Sequence, residues 1–157
     1  MLKKHCNFNA KLAENNANPI WNRLLSLADD RDITVYTIPL TAAINGIYFR
    51  KKEVKAIGIK NSLSDYQKNF VLAHELGHLV LHRHIQRTTD RDRHKLMEKQ
   101  AHHFAGAFLL PAETFASEVR MPVTLDDLLL LKRRWGVSVA AITMRLHALG
   151  LLDEDGK

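Results

Sequence analysis

The apolar positions of the chain fall into runs of two periods, one near 3.6 residues and one near two. Asn18-Pro19 opens the first helical run, with Asn as N-cap and Pro in the first turn, followed by Ile20, Trp21, Leu24, Leu25, Leu27 and Ala28 and ending near Asp29-Asp30. Ile33 to Ile38 reads ITVYTI, β-branched or aromatic throughout and closed by Pro39, which predicts a short strand. Gly46 to Phe49 and Val54 to Ile59 flank the polar Arg50-Lys51-Lys52-Glu53, the signal of a hairpin with a longer turn. The second arm alternates only in part, which makes one of these strands an edge. Residues 1–16 are polar, Asn-rich and aperiodic, and read as a loose arm or short helical lead-in.

The most apolar helical run follows a capping box, Ser64 with Gln67, and is predicted over about Asp65 to His84. On a helical wheel Leu72, Ala73, Leu76, Leu79 and Val80 share one side and His74 and His78 the other. Arg83 to Lys95 is dense in charge and predicts a linker, with a substrate-contacting lid as the sharper reading. A second helix then begins near Asp90 to Asp92, carrying Leu96, Met97, Ala101, Phe104, Phe108 and Leu109 at helical spacing. Ala101 and Ala105 would let it approach another helix closely. The tail predicts two more helices, Leu125 to Arg134 and Ser138 to Leu149, around a tight turn at Trp135-Gly136-Val137.

These elements predict an α+β fold with a small three-stranded antiparallel sheet, packed against the first long helix, the second helix and a C-terminal helical module at 123–152. A chain of 157 residues, 46% hydrophobic, suits one domain spanning 1–157. The single cysteine excludes an internal disulfide and points to a reducing compartment, the cytoplasm. The basic start has no apolar stretch after it, so neither secretion nor membrane insertion is expected. A net charge of +6 is spread over dispersed residues, which favours a solvated surface over a nucleic-acid footprint.

Chemistry concentrates at His74-Glu75-Leu76-Gly77-His78, the HExxH pattern. With nine histidines, chance alone would produce the pattern in roughly 2% of such chains. Residues four apart on a helix share a face, so both imidazoles can reach one ion while Glu75 lies beside the pair. His82 continues the series, but three such positions span about 12 Å of helix axis, so His82 suits a supporting or helix-end role. A catalytic zinc site needs a third protein ligand, and Glu98, His102 and His94 are all available on the second helix.

HELGHLVLH followed by Glu98-Lys99-Gln100-Ala101-His102-His103-Phe104-Ala105, then small residues, leucines and Pro111, resembles the ImmA/IrrE family of zinc metallopeptidases. The likeness extends over roughly residues 17–152. It implies a gluzincin-like arrangement with Zn2+ held by His74, His78 and Glu98, and Glu75 as general base. His102 stands where the family usually has Asn, and could orient Glu98 or compete for metal. A second oxyanion donor is open, with His103, His84 and Arg83 as candidates.

The resemblance also implies a bacterial or phage regulatory protease that inactivates a helix-turn-helix repressor, as an antirepressor does. Many relatives carry a DNA-binding domain ahead of the protease; this chain begins too near the catalytic unit for one, so recognition is expected to be intermolecular. A regulatory binding module with structural zinc is a second reading. A third is DNA binding by the helix-turn-helix-like tail with Lys132-Arg133-Arg134, although Arg145 is the only base-reading donor along its second helix.

Overall fold

In the computed structural model the described residues are 11–85 and 89–152. The expected loose arm lies mostly outside them, as does the middle of the charged linker. The chain runs β1 (Lys11–Leu12), α1 (Pro19–Asp29), β2 (Ile33–Ile38), β3 (Gly46–Lys51), β4 (Val54–Lys60), α2 (Asp65–Leu81), α3 (Arg91–Leu109), α4 (Ala112–Glu118), α5 (Leu125–Trp135) and α6 (Val139–Ala148). The class is α+β, with one sheet and six helices among the described residues.

The sheet differs from the expected three antiparallel strands. It has four strands in the order β1-β2-β4-β3; β1 pairs antiparallel with β2, and β3 with β4, while β2 and β4 run parallel. The reason lies in β4, where Ile57, Gly58 and Ile59 are buried in succession, the mark of a strand covered on both faces. It therefore takes the centre, and β3 becomes the edge. Lys51 pairs with Val54, so the hairpin turn is two residues rather than the expected longer one. Lys52 closes it with a φ of 54°, a left-handed conformation that suits tight hairpins.

Side-chain caps fix where the helices start. Asn18 accepts from the amides of Ile20 and Trp21, Ser64 and Gln67 form the reciprocal capping box of α2, and Asp90 caps α3. α2 stops at Leu81, short of the expected His84, with His82 as its C-cap. Its core side is narrower than the wheel suggests: Leu72, Ala73, Leu76 and Leu79 are buried, but Val80 is exposed. On α3 the buried stripe is Met97, Ala101 and Ala105, leaving Leu96 and Phe108 in solvent. Small residues win there because α3 comes very close to α2. A Cβ on Gly77 would fall 3.3 Å from the Ala101 carbonyl oxygen and 2.9 Å from the Phe104 ring.

Two apolar clusters result. One joins Trp21 and Leu24 of α1, the sheet, and Leu72 and Leu76 of α2; the other joins Phe115, Leu131, Val137, Ile142 and Leu146. Phe70 and Leu109 pack against both. A polar pin crosses the same boundary. Asn69, fully buried, donates to the Gly136 carbonyl at 2.8 Å and accepts from the Asn18 amide at 2.9 Å.

Arg145 is also taken up by this packing. It is buried, and its Nε donates to the Leu110 carbonyl at 2.9 Å, satisfying the end of α3. The one base-reading donor on the second tail helix is thus an internal cap. Among the described residues no helix is long and apolar enough to cross a membrane.

Candidate metal centre

The site forms where α2 and α3 cross. His74 and His78 stand one turn apart on α2 with their Nε2 atoms 3.1 Å from each other. From α3, Glu98 brings Oε2 to 3.2 Å from His74 Nε2 and Oε1 to 3.1 Å from His78 Nε2. Around a tetrahedral ion with bonds of about 2.0–2.1 Å, neighbouring donors lie about 3.3–3.4 Å apart. The spacing of the two ring nitrogens, and of each ring nitrogen from its nearer Glu98 oxygen, is within a few tenths of an ångström of that, the carboxylate turning one oxygen to each histidine. These three residues could hold a metal ion, and the donor set of two imidazoles and one carboxylate suits one.

The other two expected contenders stay outside the triangle. His94 Nε2 is 3.9 Å from Glu98 Oε1 on an exposed side chain, a contact within α3. His102 tilts against Phe70 and places Nε2 3.4 Å from Met144 Sδ rather than orienting Glu98. Burial lowers its pKa, with His74 adding to the effect.

Residues 28–147 match the model of the peptidase M78 family, described as IrrE N-terminal-like domain. The chain belongs to the ImmA/IrrE family. A Bacillus phage phi105 protein described as "Uncharacterized immunity region protein 2" is 32% identical over 106 residues, 65% of this chain and 67% of its own length. A solved structure of a Mycobacterium tuberculosis transcriptional regulator matches with a TM-score of 0.64 and 25% identity, over 83% of this chain. The match takes in 42% of that regulator, so this chain spans less than half its length.

Within this ImmA/IrrE chain, electrostatics separate the roles of the clustered groups. Burial pushes His78 down to about 4, with His74 and His82 adding to it against the pull of Glu98, so its ring is neutral at pH 7. A neutral imidazole is the form that binds metal. Glu75 is buried too, and its carboxyl is pushed up to about 8 by burial first and then by Glu98. It meets the first residue of β3: a Cβ on Gly46 would fall 2.7 Å from Glu75 Oε1.

Of the expected oxyanion donors, Arg83 and His84 line a groove of about 410 Å³ with Tyr48, Arg50 and His78. His103 lies between two other grooves, one bordered by Leu81, Leu96 and Phe104 and one by Phe70, His102 and Met144. Three contributors were missing from the sequence reading. Tyr48 stacks on His78 with ring centroids 4.8 Å apart, Gln100 lies 2.9 Å from His82 Nε2, and Gly46 makes room for Glu75. None has a local signature; Tyr48 is one aromatic in a strand, and Gln100 is one polar residue on a charged helix.

Proposed function

We propose that this chain is a zinc-dependent endopeptidase that cleaves a regulatory protein, most specifically a helix-turn-helix repressor, in the cytoplasm. The observation that carries this reading is the grouping of His74, His78 and Glu98, whose ring nitrogens lie 3.1 Å apart and each within 3.1–3.2 Å of a Glu98 oxygen, with the buried carboxyl of Glu75 on the helix of the two histidines. Zinc bound there supplies Lewis acidity, bringing the pKa of water towards about 7 and stabilising negative charge on a carbonyl oxygen.

Glu75 acts as general base. It takes the proton of the attacking water and returns it to the leaving nitrogen, a task that favours a carboxyl whose pKa lies near working pH. His74 and His78 present neutral nitrogens, and Glu98 offsets the charge of the ion. Among the described residues β3 is the outer strand of the sheet and begins at Gly46, beside Glu75, so a substrate strand added there would bring its backbone to the site. The choice of a repressor rests on the kinship with a phage immunity-region protein and with a transcriptional regulator.

The test is co-expression of wild type or Glu75→Gln with a helix-turn-helix repressor as candidate substrate, read as fragment size. Wild type is expected to yield two fragments and the variant intact repressor, with zinc content equal in both. Cleavage by Glu75→Gln at the wild-type rate would end this assignment. Tight repressor binding with no cleavage by either would favour the non-catalytic binding module instead.

A further inference from the structure

Of the basic trio Lys132-Arg133-Arg134 on α5, two members are taken up inside the fold. Lys132 places its ammonium 4.6 Å from the centre of the Tyr66 ring, and Arg134 pairs with Glu118 at 3.1 Å. At the other end of the helix Asp127 closes the capping box with Thr124. That leaves Asp126 and Arg133, both exposed, and among the described residues neither makes a hydrogen bond or ion pair. Between them stand Leu129 and Leu130, also exposed, with Leu130 at 62%. Asp126, Leu129, Leu130 and Arg133 follow the spacing i, i+3, i+4 and i+7, so they form one stripe along the helix, turned away from Leu131, which is buried in the second apolar cluster. The stripe reads acid, two leucines, base, and it is its own complement when reversed.

We propose that this face of α5 is the interface of a homodimer, in which α5 packs antiparallel on α5 of a second copy about a two-fold axis between Leu129 and Leu130. In that register Leu129 of each copy meets Leu130 of the other. Asp126 of each copy then stands beside Arg133 of the other, so one contact makes two ion pairs. A parallel pair would set Asp126 against Asp126 and Arg133 against Arg133, where like charges oppose association. The antiparallel order also lays the negative end of one helix dipole beside the positive end of the other. A pair of three-turn helices is a small contact, so the dimer belongs to the weak class that forms as concentration rises. No α5 residue borders the grooves beside the metal centre, so pairing leaves both centres open, and it holds whether or not they are catalytic.

The test is sedimentation of the full chain over a wide range of concentration, where wild type is expected to pass from monomer to dimer. Asp126→Arg leaves two arginines facing each other across the axis, and Arg133→Asp leaves two aspartates. Each variant alone is expected to self-associate about tenfold more weakly, or less still. Mixed in equal amounts, the two present opposite charges at both pairs and should form a mixed dimer as tightly as wild type forms its own. Leu130→Ser keeps the charges but removes apolar contact, and should weaken the dimer as well. Melting curves establish that each variant is folded; if Asp126→Arg is not, Arg133→Asp and Leu130→Ser decide by the same loss. A wild type that is monomeric at every concentration would overturn the interface. So would a dimer that both charge variants form as tightly as wild type, since it would lie on another face. Single variants that are weakened but not restored by mixing would overturn the antiparallel register.

Discussion

Gly46 and Glu75 are in such close register that a methyl group on the one would fall 2.7 Å from the carboxylate oxygen of the other, and 2.6 Å from Val71. The edge strand and the proposed base therefore define each other's position. Gly46→Ala must shift either β3 or the Glu75 side chain, and misplacing a reacting group by about 1 Å costs on the order of 100-fold in rate. Turnover of the alanine variant is expected to fall by about that factor, with zinc content unchanged since no ligand is touched. A fully active Gly46→Ala variant would show that Glu75 is not held by this strand.

Metal loading should appear as stability, because the donor triangle exists only in the folded chain. With zinc at about a thousandfold excess over its Kd, the gain is about 4 kcal/mol, or roughly 8–16 °C in Tm for a chain of this size. Chelator should reverse it. Glu98→Ala removes the one donor contributed by α3 and is expected to lose most of the zinc-induced shift, as melts with and without the ion would reveal. A shift as large as in wild type would mean that another residue supplies the third ligand.

The metal-free protein should show a pH dependence set by two opposed groups. Glu75 has a pKa raised from 4.5 to about 8, so its contribution to stability is complete below 4.5 and is lost as pH rises through 8. His78 is lowered from 6.5 to about 4, so its contribution is present above 6.5 and lost as pH falls through 4. The two oppose each other between 4.5 and 6.5, and above that only the loss from Glu75 remains. In chelator, wild-type Tm is expected to drop between pH 6.5 and 8 while Glu75→Gln stays flatter. Parallel curves for the two proteins would contradict the buried state of Glu75.

The parts of this molecule readable in advance are those written in local spacing. HExxH declares its two imidazoles because four residues make a helical turn, and Asn18, Ser64, Asp90 and Ser138 mark helix starts because their side chains cap adjacent amides. Strand order is not local. Whether β4 lies at the centre depends on what covers both of its faces, and its IGI run resembles that of any apolar strand. The two-residue β1, exposed on both residues, has no period to detect, and it is held by backbone pairing and by the Thr37 hydroxyl, which donates to the Lys11 carbonyl. Lys52 gave no turn signal, since glycine, asparagine and aspartate are the residues that usually announce a positive φ. Leu96 and Phe108 misled for a related reason: periodicity finds a face, while the small residues Gly77, Ala101 and Ala105 decide which part of it is buried.

Asn69 offers the sharpest test of how the two apolar clusters are joined. Its side chain is fully buried and answers both the Asn18 cap and the carbonyl of Gly136, a residue held at φ 65° with Ile20 so close that no side chain fits there. Asn69→Leu keeps the volume but strands these groups, at about 1–3 kcal/mol for each one left unpaired and dry. With Asn18 near enough to solvent to recover part of this, a loss of about 2 kcal/mol is expected, or roughly 4–8 °C in Tm. Because the pin lies between the clusters, amide exchange should accelerate first in α5 and α6, ahead of α2. Uniform acceleration across both clusters would instead mean that they unfold as one unit, with Asn69 stabilising the whole and not the junction.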